Sequence, residues 1–160
     1  MATRSTSTGP LRRFAKAVRR AAGWRPGAVV AGPYGTVMTY APKPDGRPDP
    51  GEIVWTWVPY EDDPSQGKDR PVLLVGRRGT NLVAVMMTSK DHDRDAADEA
   101  RWGRYWMDIG SGAWDRQRRP SEVRLDRLIE VEEADVRREG AVLERTIFDR
   151  VVAGVVKHAA

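Results

Sequence analysis

The sequence predicts a mainly β domain, a small barrel or curled sheet with short helices, closed by a C-terminal helix and preceded by a basic tail. Short runs of β-branched and aromatic residues recur with turn signals between them over residues 53–131. Near residue 147 the apolar period changes from that of strands to that of a helix. Gly and Pro crowd the stretch before residue 51.

A chain of 160 residues suits one compact domain plus a tail. The expected division is a basic extension and Pro/Gly-rich linker over 1–50 and the folded domain over 51–160. The extension carries seven basic residues, Arg4, Arg12, Arg13, Lys16, Arg19, Arg20 and Arg25, and no acidic one before residue 27. Residues 27–160 are therefore net −3, and the overall +4 says little about whether the folded part binds nucleic acid. Within 10–22, Leu11, Phe14, Ala15 and Val18 recur at helical spacing with arginines opposite. That pattern reads as a short basic amphipathic helix, either a nucleic-acid or membrane-surface arm or a solvated tail that orders against a partner. The linker ends in APKPDGRPDPG, and its run 35–40 can pair as an edge strand.

The absence of cysteine excludes disulfides, thiolate metal sites and cysteine nucleophiles. No apolar run approaches the roughly 20 residues that cross a bilayer, so a soluble, cytoplasmic protein without membrane contact is expected.

Strand signals follow at 53–58, at the continuous apolar runs 71–76 and 82–87, and at 104–109 around aromatics. RRGT and Asn81 supply a Gly and an Asn for a tight connection, so the second and third runs form a hairpin. A fifth strand is expected at 122–125, with 128–131 continuing it. Ile147, Val151 and Val155, flanked by Phe148, Val152 and Val156, then give one broad apolar helix face of about 14 residues that packs on the sheet.

The chain has two histidines. His158 falls at the frayed terminus, and His92 falls among Asp91, Asp93 and Asp95 in a loop without the glycine and distal glutamate of a calcium site. No metal and no cofactor is expected. The glycines at 76–79 and 110–112 match no phosphate-binding fingerprint and read as turns. Six tryptophans are a large apolar load, read as core plus subunit interface. Trp55 and Trp57 share a strand face, and Trp114 in GSGAWDR offers a stacking platform for a single-stranded base. Lys68, Lys90 and Arg116 join Trp114 as candidate nucleic-acid contacts.

The strongest constellation joins the hairpin strands. GKDRP sets Arg70 at a strand mouth, where a guanidinium can hold a phosphate bidentately. MMTSK brings Thr88 and Ser89 to the end of the partner strand. With the turn at Gly79 and Thr80, pairing places one of the two hydroxyls near Arg70.

These segments in this order, GEIVW, GKDRPVLLV, LVAVMMTSK and SEVRLDRLIEV, resemble the PemK/MazF toxins. That family's pattern opens with Gly-Asp-Ile, continues with an Arg-Pro-led strand and closes the next with Thr-Ser. The resemblance covers about residues 51–156. It implies an SH3-like small barrel, usually a homodimer, that cuts single-stranded RNA at a short sequence and is the toxin of a type II toxin–antitoxin system. It also implies a cognate antitoxin protein inserting into the same groove, and DNA contact through the toxin–antitoxin complex. Arg70 matches the family's catalytic arginine, Thr88 its active-site threonine or serine, and Arg124 with Asp126 the Arg-x-Asp pair of one branch. That branch also has a histidine before the Arg-Pro strand, where YEDDPSQGKD has none.

Metal-independent cleavage uses the substrate 2′-hydroxyl as nucleophile. Asp126 is then the candidate base with Arg124 tuning it, Arg70 stabilises the developing charge, and Thr88 or Ser89 fixes the phosphate. The plain structural alternative pairs Arg70 with Asp126 and uses Thr88 to cap a loop. Two other functions fit the same residues: a catalytically silent module that binds nucleic acid or a partner protein, and a related toxin that poisons a gyrase.

Overall fold

The computed structural model describes residues 29–89 and 96–159. The basic helix expected at 10–22 and the loop 90–95 with Lys90 and His92 lie outside them.

Among the described residues eight antiparallel strands form one sheet. They are β1 (Val29–Ala31), β2 (Val37–Thr39), β3 (Glu52–Pro59), β4 (Gly67–Arg78), β5 (Asn81–Thr88), β6 (Trp106–Gly110), β7 (Ser121–Val131) and β8 (Arg138–Val142). Helix α1 (Ala96–Arg101) precedes β6, and α2 (Arg145–His158) ends the fold. The order is β1-β2-β4-β5-β7-β6, with β3 pairing both β4 and β8. One edge of the long β4 is shared, its first half by β3 and its second by β2. The expectation of a mainly β fold with short helices and a C-terminal helix holds.

The apolar runs are continuous because both faces of the central strands are covered. Leu73, Val75, Val83, Val85 and Val123 face α2, which buries Phe148, Val151, Val152 and Val155 among them. Val54, Val72, Leu74, Leu82, Ala84 and Ile129 form a second cluster on the opposite face. Four valines make α2 a weak helix in isolation, so packing holds it, at about 1.5–3 kcal/mol for each large apolar side chain buried. Lys157 and His158 in its last turn complement the helix dipole.

Several expectations are corrected. The run 35–40 does pair, as β2, but between β1 and β4 rather than at an edge, and β1 adds a strand in the stretch expected as linker, so the described sheet begins at Val29. Met38 is fully buried, and the Tyr40 hydroxyl donates to the Leu143 carbonyl at 2.8 Å with its ring 5.1 Å from Phe148. Gly76 permits this: a Cβ there would collide with the Val37 carbonyl and hold β2 off β4. The strand signals 122–125 and 128–131 are one strand, β7. His158 is not frayed but stacks on Tyr105 at 3.9 Å.

Candidate nucleic-acid cleft

The β4–β5 ladder runs from Arg78 opposite Asn81 to Val72 opposite Met86. Pro71, which has no N–H to give a ladder, stands immediately before that last pair. Beyond it the strands part, because β4 continues along β3 (Arg70 opposite Thr56) while β5 continues along β7 (Thr88 opposite Glu122). The opening is a cleft of about 190 Å³ lined by Lys68, Arg70, Thr88, Ser89, Trp114 and Arg119, among others.

A β-bulge changes which hydroxyl the ladder count sets toward Arg70. The register shifts by one between Leu74 and Gly76, leaving Val75 as the extra residue of β4. Without the shift, counting along the ladder would bring Ser89 opposite Arg70. With it, the same count gives Thr88; the strands have parted by that point, and Thr88 and Ser89 both line the cleft with Arg70. The Arg70 side chain makes no hydrogen bond or ion pair among the described residues. Lys68 and Ser89 are exposed.

Trp114 does not present a stacking face. Its ring is 8% exposed and belongs to the main core, and its Nε1–H donates to Ser121 Oγ at 3.0 Å. It forms the floor of the cleft rather than a platform. Arg116 is exposed on the loop after Trp114 and does not line the cleft, whereas Arg119 does.

Arg124 and Asp126 are not among the cleft-lining residues. The Arg124 guanidinium is 7% exposed and clamped by two carboxylates. Its Nη2 donates to Asp126 Oδ2 at 2.8 Å and its Nε to both Asp126 oxygens, while Nη1 donates to Glu61 Oε2 and Nη2 to Glu61 Oε1 at 3.3 Å. Asp126 Oδ1 also accepts the Tyr105 N–H at 2.8 Å. Asp126 therefore pairs with Arg124 and not with Arg70, and its oxygens are engaged. Burial works against the Arg124 charge, but the hydrogen bonds to Asp126 and Glu61 outweigh it and raise its proton affinity. The same hydrogen bond holds the Glu61 carboxyl below the ordinary range, against partial burial.

Two members of this cluster escape a reading of the sequence. Glu61 lies 63 positions from Arg124, so no local spacing joins them. Arg127 donates to the Pro59 carbonyl at 3.0 Å. Its proton affinity is lowered mainly by burial, with Glu61 opposing and repulsion from Arg124 and Arg70 adding to the fall. Arg127 thus links the clamp electrostatically to the cleft.

Residues 49–158 match the family model described as PemK-like, MazF-like toxin of type II toxin-antitoxin system. Among solved structures the chain is similar to Mycobacterium tuberculosis toxin MazF-mt6 at 18% identity, over 68% of this chain and 94% of that one, with a TM-score of 0.43. None of the curated proteins matches the chain.

Proposed function

This chain belongs to the PemK-like, MazF-like toxins of type II toxin–antitoxin systems, and we propose that it acts as an endoribonuclease, cutting single-stranded RNA at a short sequence without a metal ion. The observation that carries this reading is the convergence of Arg70 and Thr88 at the point where β4 and β5 part, in a cleft open to solvent. Arg70 would receive the charge that gathers on the phosphate as the 2′-hydroxyl attacks, because a guanidinium presents a fork matched to two phosphate oxygens. Thr88 would donate to a phosphate oxygen and fix the line of attack, with Ser89 beside it. Lys68 and Arg119 would hold the flanking backbone. Asp126, with its oxygens engaged, orients Arg124 in this reading rather than taking the proton.

Its partners would be RNA, a cognate antitoxin, a second copy of the chain, and DNA reached through the toxin–antitoxin complex, all in the cytoplasm. Trp57, 42% exposed, and Trp102, 75% exposed, are the apolar surface such contacts would cover. No helix of the described residues is long and apolar enough to cross a membrane.

The test is incubation of the purified chain with a long RNA in EDTA. The expected products carry a 2′,3′-cyclic phosphate and a 5′-hydroxyl. Intact RNA that still binds the protein would favour the catalytically silent module.

A further inference from the structure

Arg124 has two usable edges, and the chain fills them with carboxylates of different character. Asp126 takes the Nε/Nη2 edge from within β7, is 9% exposed, and is fixed by the Tyr105 N–H. Glu61 takes the Nη1/Nη2 edge from the exposed 60–66 connection, and its side chain is 58% exposed. Its two oxygens each accept from a different terminal nitrogen, the parallel fork by which arginine also grips a phosphate. Arg127 lies close enough to favour the Glu61 charge and to feel both Arg124 and Arg70. Two guanidinium groups, Arg124 and Arg127, thus act on one exposed carboxylate.

We propose that Glu61 is an internal anion standing in for an RNA phosphate: a backbone phosphodiester of bound RNA displaces it from the Nη1/Nη2 edge of Arg124 and sits between Arg124 and Arg127. The proposal rests on the RNA-binding reading above. The partner that moves is Glu61, because swinging an exposed side chain into water costs little, whereas Asp126 has no such exit. Once Glu61 leaves, Asp126 is the carboxylate that still pairs with Arg124 among the described residues, and the opened edge attracts an anion. The contact is an autoinhibitory one: it keeps a phosphate subsite dry and neutral in the free protein and weakens RNA binding by the strength of the pair it must break.

The experiment measures binding of a single-stranded 2′-O-methyl RNA, which cannot be cleaved, to the full chain and to Glu61→Gln and Glu61→Ala, by fluorescence anisotropy over a range of salt. Both variants should bind roughly twofold to fivefold tighter than wild type, the range set by one half-exposed ion pair. Weaker or unchanged binding by both folded Glu61 variants overturns the proposal. Should either variant lose its circular-dichroism melt, guanidinium NMR of wild type decides: Arg124 signals that shift on adding RNA support displacement, and Arg124 signals that stay fixed while RNA binds overturn it. Wild type that binds no RNA removes the nuclease reading and this inference together.

Discussion

At the mouth of the cleft the Arg70 side chain has no hydrogen bond or ion pair among the described residues, whereas the Arg124 side chain on β7 is 7% exposed and held by Glu61 and Asp126. Both are arginines on the same sheet and both were candidate catalytic residues. The difference separates two jobs. A half-buried, unpaired guanidinium keeps its donors for a ligand and adds little to stability. A buried guanidinium has given up its water, so its buried partner Asp126 must stay in place or the fold bears an uncompensated charge. Arg127 lies within electrostatic reach of both and donates to the Pro59 carbonyl.

The largest effect should come from breaking the clamp at its fixed partner. Asp126→Ala removes three hydrogen bonds from Arg124 and the acceptor of the Tyr105 N–H. It should destabilise the fold by about 3 kcal/mol or more, the scale seen when one member of a buried pair is deleted. Denaturant unfolding followed by circular dichroism checks this, and wild-type stability in the variant would erase the contrast between the two arginines.

A smaller effect sharpens the same comparison through pH. The hydrogen bond from Arg124 holds the Glu61 carboxyl below its ordinary range, so the folded chain binds that proton less readily than the unfolded chain. The stabilisation is then fully present above the ordinary glutamate range, near pH 4.3, and disappears as pH falls through the depressed value. The melting difference between wild type and Glu61→Gln should therefore shrink on acidification from about pH 6 to about pH 3. A difference that stays constant over that range would mean that Glu61 carries no such linkage.

Much of this arrangement was legible in the sequence where burial on both faces leaves a continuous apolar run, as in Val72–Val75 and Leu82–Met87, or where the helical period of α2 buries Phe148, Val151, Val152 and Val155. The approach of Arg70 to the end of β5 followed from the hairpin turn alone. The choice between Thr88 and Ser89 did not, because it depends on the bulge at Val75, and a one-residue shift leaves no mark in the apolar pattern. Strand β8, REGAV, is charged and glycine-containing; its strand state comes from pairing with β3 rather than from its own propensity. Of residues 29–39 only the run from 35 read as a strand, because Gly and Pro dominate the surroundings, while Gly76 on β4 leaves the space in which β2 docks. Trp114 read as exposed because it sits in a glycine-rich loop, while its indole N–H has a partner, Ser121, seven residues on. Glu61 carried no signal at all, since its role exists only once β3, its following loop and β7 are brought together.

The account stands or falls on Arg70→Ala, measured twice on the same preparation. Its thermal melt should stay within about 2 °C of wild type, as for a half-buried side chain outside the core with no partner to lose. Its rate of cleavage of one long RNA in EDTA should fall by about 10²-fold or more, as when a group that stabilises transition-state charge is lost. Arg70→Lys should recover part of that rate if charge alone matters and little of it if the planar fork is required. Cleavage by Arg70→Ala at the wild-type rate would contradict the assignment of the cleft as the active site.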